Sequence, residues 1–232
     1  MEDGKKMNKL EVLYEDNHII VVFKPINILS QSDITHDIDM LTMIKEYIKE
    51  KYHKPGNVYL GLVHRLDRVT SGVMVFAKTS KAASRLSNEI RNNNIKKDYL
   101  AIIHGKINSR GVYEDYLLKK DDFSTVVDKS GKYAKLNYEL LEYDKENDLS
   151  LVNVHLETGR HHQIRVQFSN RGYPLLGDKR YGKDNYDELG LCAYHLSFTH
   201  PVTKELMNFE RLPKGKIWNF KYMKGKDYGK EK

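Results

Sequence analysis

The chain has 232 residues, and its 40% of hydrophobic and 10% of aromatic side chains suffice for a sizeable core, which excludes a disordered protein. Its 39 lysines and arginines exceed its 32 acidic residues, and the net charge of +7 permits an anionic partner without identifying one. The single cysteine, Cys192, excludes an intrachain disulfide and a zinc site made of cysteines alone. A single cysteine is typical of a protein in a reducing compartment, and we expect a cytoplasmic protein.

One folded domain is predicted over residues 9–222, with a flexible tail over 1–8 and a flexible basic tail over 223–232. No internal repeat and no low-complexity linker divides the chain. The N-terminal segment lacks the apolar region of a secretory signal, and apolar runs such as Ile19–Phe23 are too short to span a membrane. We therefore expect no membrane association, and we assume a monomer.

The predicted elements follow one another without a regular βαβ alternation. In chain order they are strands Val12–Tyr14 and Ile19–Phe23, helix Leu41–Tyr52, strands Tyr59–Val63 and Gly72–Ala77, helix Ser80–Asn92 capped by Ser80, and strand Asp98–His104. A strand-rich segment, Val112–Leu156, precedes a short helix that carries Ile164 and Phe168 inward, and strands Leu191–Phe198 and Glu205–Phe209 come last. The order predicts an α+β fold, with a mixed, mainly antiparallel central sheet flanked by helices and loops.

Several familiar cofactor and hydrolase motifs are absent from the sequence. It contains no P-loop, no GxGxxG after a strand, no HExxH and no GxSxG. The sequence therefore disfavours nucleoside triphosphates, dinucleotides and serine-hydrolase chemistry, and we predict no cofactor.

The densest group of polar residues in an apolar setting is HRLDRVTSG, residues 64–72, between two predicted strands. Its Asp67 stands between Arg65 and Arg68, which surrounds the carboxylate with positive charge. Such a carboxylate on rigid elements can serve as a nucleophile, a base or a metal ligand. A salt-bridged surface loop would explain the same string, so the motif alone does not decide the function.

A second group, RHHQIR over residues 160–165, crowds the start of the predicted short helix. Helical spacing would place Arg165 on one face with His161 and His162. We predict no metal here, because the spacing matches no common zinc pattern and adjacent histidines on a helix point in different directions. Cationic recognition of phosphate fits these residue types better. A third feature is Tyr99, which begins a strand beside Lys96 and Lys97 and offers a ring for a nucleobase.

Together, these motifs resemble the RluA-type family of pseudouridine synthases. The resemblance covers roughly Leu10 to Phe220 and follows the family's order: LYEDNHIIVVFKP, HRLDRVTSG, KKDYLA, LETGRHHQIR with GYPLLGDKRYG, and LCAYHLSFTHP. It implies the pseudouridine synthase fold, with an active-site cleft across the sheet, in a single-domain form without the small N-terminal RNA-binding domain. Gln167 and Cys192 depart from the pattern, since the family often has histidine at both positions.

The resemblance implies an isomerase that converts specific uridines of rRNA or tRNA to pseudouridine by base flipping. The reaction transfers no external group and changes no redox state, which fits the absence of cofactor motifs. Asp67 would be the catalytic aspartate, Arg165 would pair with it, and Tyr99 would stack on the target base. Arg65 would enter the RNA when the nucleotide flips out. The remaining RNA-binding candidates are Arg68, Arg160 and His162, and we expect the four arginines to line one cleft.

Two alternatives remain open at this point. The first is a non-catalytic RNA-binding or ribosome-assembly protein, which would release no tritium from 5-tritiated uridine in RNA. The second is a metal-dependent hydrolase that uses His64, Asp67 and the His161–His162 pair, which would lose activity with a chelator.

Overall fold

The computed structural model describes residues 10–35, 37–184 and 186–227, so the predicted tail over residues 1–8 lies outside the described residues. The strands of the described part are β1 Glu11–Glu15, β2 Ile19–Lys24, β3 Gly61–Leu62, β4 Ser71–Ala77, β5 Lys96–His104, β6 Arg110–Lys119, β7 Thr125–Val127, β8 Lys132–Asp144, β9 Leu149–Leu156, β10 Leu191–Thr199 and β11 Leu206–Glu210. The helices are α1 Met40–Tyr52, α2 Ser80–Arg91, α3 Gln163–Ser169 and α4 Lys221–Asp227, with a short 3-10 helix at Lys216–Trp218.

All of these strands join one sheet, in the order β1-β2-β4-β10-β5-β9-β8-β6-β7, with β3 beside β4 and β11 beside β10. Every strand pair is antiparallel except β4 with β10, which run parallel where Gly72 lies opposite Ala193. A side chain at Gly72 would place its Cβ 2.5 Å from Ala193, so only glycine permits this contact. The predicted α+β fold with a mixed, mainly antiparallel sheet is confirmed.

The sheet is covered on both faces, because its central strands are apolar on both sides. On β2, Ile20 and Val22 face a core formed with α1 and α3, whereas Ile19 and Val21 face a second core formed with α2. On β5, Tyr99 belongs to the first of these cores. We call the face with α1 and α3 the front face, and it carries the candidate site.

Two details of the predicted elements differ from the structure. Thr79, not Ser80, caps α2, because its side chain accepts a hydrogen bond from the Ala82 amide at 3.2 Å. At the C-terminal end, the predicted domain boundary at residue 222 falls inside α4. Met223 is buried there against Trp218 and Phe220, so apolar packing carries the fold past the predicted start of the tail.

No helix among residues 10–35, 37–184 and 186–227 is both long and apolar enough to cross a membrane.

Candidate active site

A cleft of about 810 Å³ opens on the front face, between the loop that joins β3 to β4 and the loop that leads into α3. Asp67, Tyr99 and Arg165 all line it, so the structure brings the three predicted residues together. Among the described residues, six basic side chains line the cleft against two carboxylates. The basic residues are Arg65, Arg91, Lys97, Lys119, Arg160 and Arg165, and the acidic ones are Asp33 and Asp67. This charge favours an anionic ligand.

Hydrogen bonds hold the loop that carries Asp67 before and after that residue. The Thr70 amide donates to the Asp67 carbonyl at 3.0 Å, which closes a turn. The Ser30 hydroxyl donates to the Leu66 carbonyl at 2.8 Å and accepts from the Leu66 amide at 3.1 Å. These contacts fix the backbone on either side of Asp67, whose side chain remains about one third exposed to the cleft.

A buried lysine also contacts the loop that carries Asp67. Lys24 at the end of β2 is fully buried, and its ammonium donates to the carbonyls of Pro25, Ile28 and Arg68 at 3.0, 2.6 and 3.1 Å. Burial lowers the pKa of Lys24 to about 7, against the attraction of the Asp67 carboxylate. Lys24 is not among the predicted site residues, although the Lys-Pro pair at the end of an apolar strand is visible in the sequence.

Arg165 makes its hydrogen bonds with Asp178, whereas its contact with Asp67 is longer. Its Nε and Nη2 each donate to one Asp178 oxygen at 2.8 Å, and both side chains are buried. Its Nη1 lies 3.9 Å from Asp67 Oδ2, which is salt-bridge distance without a hydrogen bond. Burial opposes ionisation of Asp178, but the hydrogen bonds from Arg165 hold its pKa below the ordinary value. The predicted proximity of Arg165 and Asp67 is present, and Asp178 is the partner that the prediction missed.

The two adjacent histidines do not follow helical geometry. His162 has a left-handed backbone, with φ of 51°, and α3 begins only at Gln163. As a result the two rings stack, with centroids 3.8 Å apart, and both line the cleft. The expectation that they point in different directions is therefore wrong. Gln163 holds this turn, since its side-chain oxygen accepts from the Thr158 hydroxyl and the Arg160 amide.

His162 lies beside Asp67, with Nε2 3.6 Å from Oδ2. Burial lowers the pKa of His162 to about 3, with Arg165 and His161 adding to the effect, so the ring is neutral at pH 7. His64, which the hydrolase alternative would need, makes a different contact: its Nε2 accepts from the Val75 amide at 3.1 Å. Burial lowers the pKa of His64 to about 3 as well, and its hydrogen bond to β4 gives it a structural role.

Tyr99 is 8% exposed and lies on the front face of β5. Burial raises its pKa, and the nearby charge of Asp67 raises it further, so the phenol stays protonated at neutral pH. The tyrosine therefore presents a neutral ring next to the carboxylate.

The predicted arginines divide into two groups. Arg65 and Arg160 are exposed at the cleft, and Arg160 Nε is fixed by the Tyr133 carbonyl at 2.7 Å. Arg68 does not line the cleft, because its guanidinium turns away to pair with Asp37 at 2.7 Å. The expectation that all four arginines line one cleft is wrong for Arg68.

The two departures from the family pattern lie away from Asp67. Gln167 is buried in α3, where its amide donates to Asp115 at 2.7 Å. Cys192 is buried on the back face of the sheet among Leu100, Trp218 and their neighbours, and burial raises its thiol pKa to about 12. Neither residue lines the cleft.

Solved structures with this fold come from RNA pseudouridylate synthase domains. The chain is similar to human RNA pseudouridylate synthase domain containing 4, with a TM-score of 0.73 and 24% identity over 88% of this chain and 89% of that one. It is similar to human RNA pseudouridylate synthase domain containing 1, with a TM-score of 0.71 and 24% identity over 92% of this chain and 86% of that one. These likenesses define the fold class.

Sequence comparison gives the family. Residues 18–170 match the RNA pseudouridylate synthase family. The uncharacterized RNA pseudouridine synthase YlyB of Bacillus subtilis is 34% identical over 87% of this chain and 68% of its own length. The ribosomal large subunit pseudouridine synthase D of Pseudomonas aeruginosa is 33% identical over 90% of this chain and 70% of its own. Synthase C of Buchnera aphidicola is 34% identical over 85% of this chain and 65% of its own. The chain belongs to the RNA pseudouridine synthase family and is an isomerase that converts uridine in RNA to pseudouridine.

Proposed function

We propose that Asp67 is the catalytic residue, and that the substrate is a uridine in ribosomal RNA of the large subunit. The observation that carries the first part is the position of Asp67, whose carboxylate lies near Arg165 in a cationic cleft lined by Tyr99. The second part rests on relatives that are named as synthases of the large ribosomal subunit. Transfer RNA is the other substrate class that the test must include.

The geometry supplies what the isomerisation needs. Extracting the uridine from its stack costs a few kcal/mol, about what one stacking contact with an aromatic ring such as Tyr99 returns. Arg65 and Arg160, exposed at the cleft, are available to phosphates and to the gap that the flipped nucleotide leaves. Asp67 then acts on the ribose, either by attacking the sugar or by removing a proton from it. Both roles need a carboxylate that is held in place near the sugar, and Arg165 and the fixed loop provide this orientation.

Arg165 acts as a positioning residue in this proposal. Because Asp178 holds two of its nitrogens, the guanidinium cannot swing fully onto Asp67 and neutralise it in a tight pair. The carboxylate keeps a nearby positive charge and stays free to approach the sugar. We also propose that the reaction takes place in the cytoplasm and that the enzyme works as a monomer.

The test is tritium release from RNA that carries 5-tritiated uridine. Wild type should release tritium from large-subunit rRNA, and Asp67→Asn should release none, because the amide is neither nucleophilic nor basic. Asp33→Asn is the matched control, since Asp33 is the other carboxylate among the described residues that line the cleft, and its side chain accepts hydrogen bonds from Thr35 rather than facing Arg165. Near-wild-type release by Asp67→Asn would refute the assignment. No release by wild type from either rRNA or tRNA would favour the non-catalytic RNA-binding alternative.

A further inference from the structure

Three potential metal ligands meet at one point of the cleft. The side chains of Asp67, His161 and His162 each offer one ligand atom, and these atoms lie within 4.8 Å of one another. Within this group, His162 Nε2 lies 3.6 Å from Asp67 Oδ2. Ligand atoms around a tetrahedral zinc ion are separated by about 3.3 Å, as follows from bonds of about 2.0–2.1 Å. Small side-chain rotations would therefore bring the three ligand atoms to the separations that one zinc ion requires.

Each of the two imidazoles has a hydroxyl group beside its Nδ1 atom. His162 Nδ1 lies 2.8 Å from the Tyr181 hydroxyl, and His161 Nδ1 lies 2.8 Å from the Thr125 hydroxyl. A ring that gives Nε2 to a metal carries its proton on Nδ1, and each hydroxyl oxygen here is placed to accept it. This is the outer-shell arrangement that orients metal-binding histidines in proteins. The Tyr181 hydroxyl is itself fixed, since it accepts a hydrogen bond from the Thr125 amide at 2.8 Å.

The donor set selects the kind of ion. Two imidazoles and one carboxylate suit zinc and the neighbouring transition metals, whereas Mg²⁺ and Ca²⁺ prefer oxygen ligands throughout. Three protein ligands leave a fourth position open to the cleft, as in sites that exchange a bound ligand. The six basic residues of the cleft weaken the attraction of a free cation, so we expect the ion to bind more weakly than in a structural zinc site.

We propose that Asp67, His161 and His162 form a site for a divalent transition-metal ion such as Zn²⁺, and that an ion bound there blocks the enzyme. The proposed metal binding rests on the three ligands alone. The proposed inhibition rests on the proposed function, because the ion would occupy the carboxylate that must act on the ribose. The site is inhibitory rather than catalytic, and RNA and metal compete for Asp67.

Metal binding is measured first, on the full chain without RNA. Co²⁺ is titrated into the protein and followed by its visible absorption, and Zn²⁺ is then added to displace it. Wild type should bind one equivalent of each ion. His161→Asn and Asp67→Asn should each weaken binding at least tenfold, with an unchanged circular dichroism spectrum. His53→Asn is the control, because His53 is an exposed, left-handed residue at the end of α1, where asparagine is readily accepted.

The outcomes separate the two proposals. No saturable metal binding to wild type, or equal metal binding by wild type and His161→Asn, would overturn the metal site.

Tritium release is then measured with and without Zn²⁺, and each variant is compared with its own metal-free rate. Zn²⁺ should abolish wild-type release and a chelator should restore it, while His161→Asn needs at least tenfold more Zn²⁺. If Asp67→Asn stays active although wild type binds metal as expected, the catalytic assignment fails and the metal site stands. Full activity of zinc-loaded wild type would overturn the inhibition.

Discussion

Arg165 donates two hydrogen bonds of 2.8 Å to Asp178, while its nearest nitrogen stays 3.9 Å from Asp67. The Asp178 side chain is fully buried, and its Oδ1 also accepts hydrogen bonds from the amides of Arg180 and Tyr181. The carboxylate therefore anchors the guanidinium to the loop after α3. The position of the positive charge beside Asp67 thus depends on a residue that does not itself line the cleft.

Asp178→Asn should lower both stability and turnover. The substitution removes the carboxylate that is hydrogen-bonded to the buried Arg165 and leaves only the longer contact with Asp67, which costs about 3–5 kcal/mol of unfolding free energy. Loss of orientation should reduce kcat by up to about 100-fold. Urea denaturation and tritium release measure the two effects. Arg165→Met should cost less in the Asp178→Asn background than in wild type, because the pair acts as a unit. Strictly additive losses would contradict this coupling.

Tyr99→Phe should leave RNA affinity nearly unchanged, because the ring remains. Tyr99→Ala should weaken binding of the substrate RNA by about 5- to 150-fold, as expected for 1–3 kcal/mol of lost stacking. Fluorescence anisotropy with a labelled RNA fragment measures both. If Phe and Ala substitutions weaken binding equally, the hydroxyl and not the ring makes the contact.

Arg65 and Arg68 form a matched pair for testing the RNA path. Arg65 lines the cleft, whereas Arg68 is paired with Asp37 outside it. Arg65→Ala should weaken RNA binding and reduce the slope of log affinity against log salt by about 1. Arg68→Ala should change that slope little. Equal changes in both variants would indicate that the RNA also crosses the Arg68 side.

Lys24 should make stability depend on pH in alkaline solution. Burial lowers its pKa to about 7, so between pH 7 and its ordinary pKa the unfolded chain binds more protons than the folded one. The unfolding free energy should therefore rise with pH across this window, by up to about 1.4 kcal/mol per unit. Lys24→Met should lack this rise, and it should be less stable overall because three carbonyls lose their donor. Parallel pH profiles from urea denaturation would contradict the prediction.

The order of the apolar segments was sufficient to predict the sheet class, because their lengths and spacing indicate strands and helices. The meeting of Asp67, Tyr99 and Arg165 in one cleft was implied only by the resemblance to the family. The motifs could not predict the stacked histidines. Helical spacing assumes a right-handed backbone, and nothing in the sequence indicates that His162 is left-handed. The direction of Arg68 was equally out of reach, because it depends on the distant Asp37. Asp178 was visible only as part of GDKRYG, with nothing to indicate that it would hold Arg165.

The central claim is that Asp67 carries out the isomerisation, and chemical mapping of pseudouridines in cellular RNA tests it most directly. Total RNA is compared from cells without the gene, with the wild-type gene, and with the gene for Asp67→Asn. We predict one or more large-subunit rRNA sites that wild type restores and Asp67→Asn does not, at equal protein levels. Restoration of the same sites by Asp67→Asn would contradict the claim.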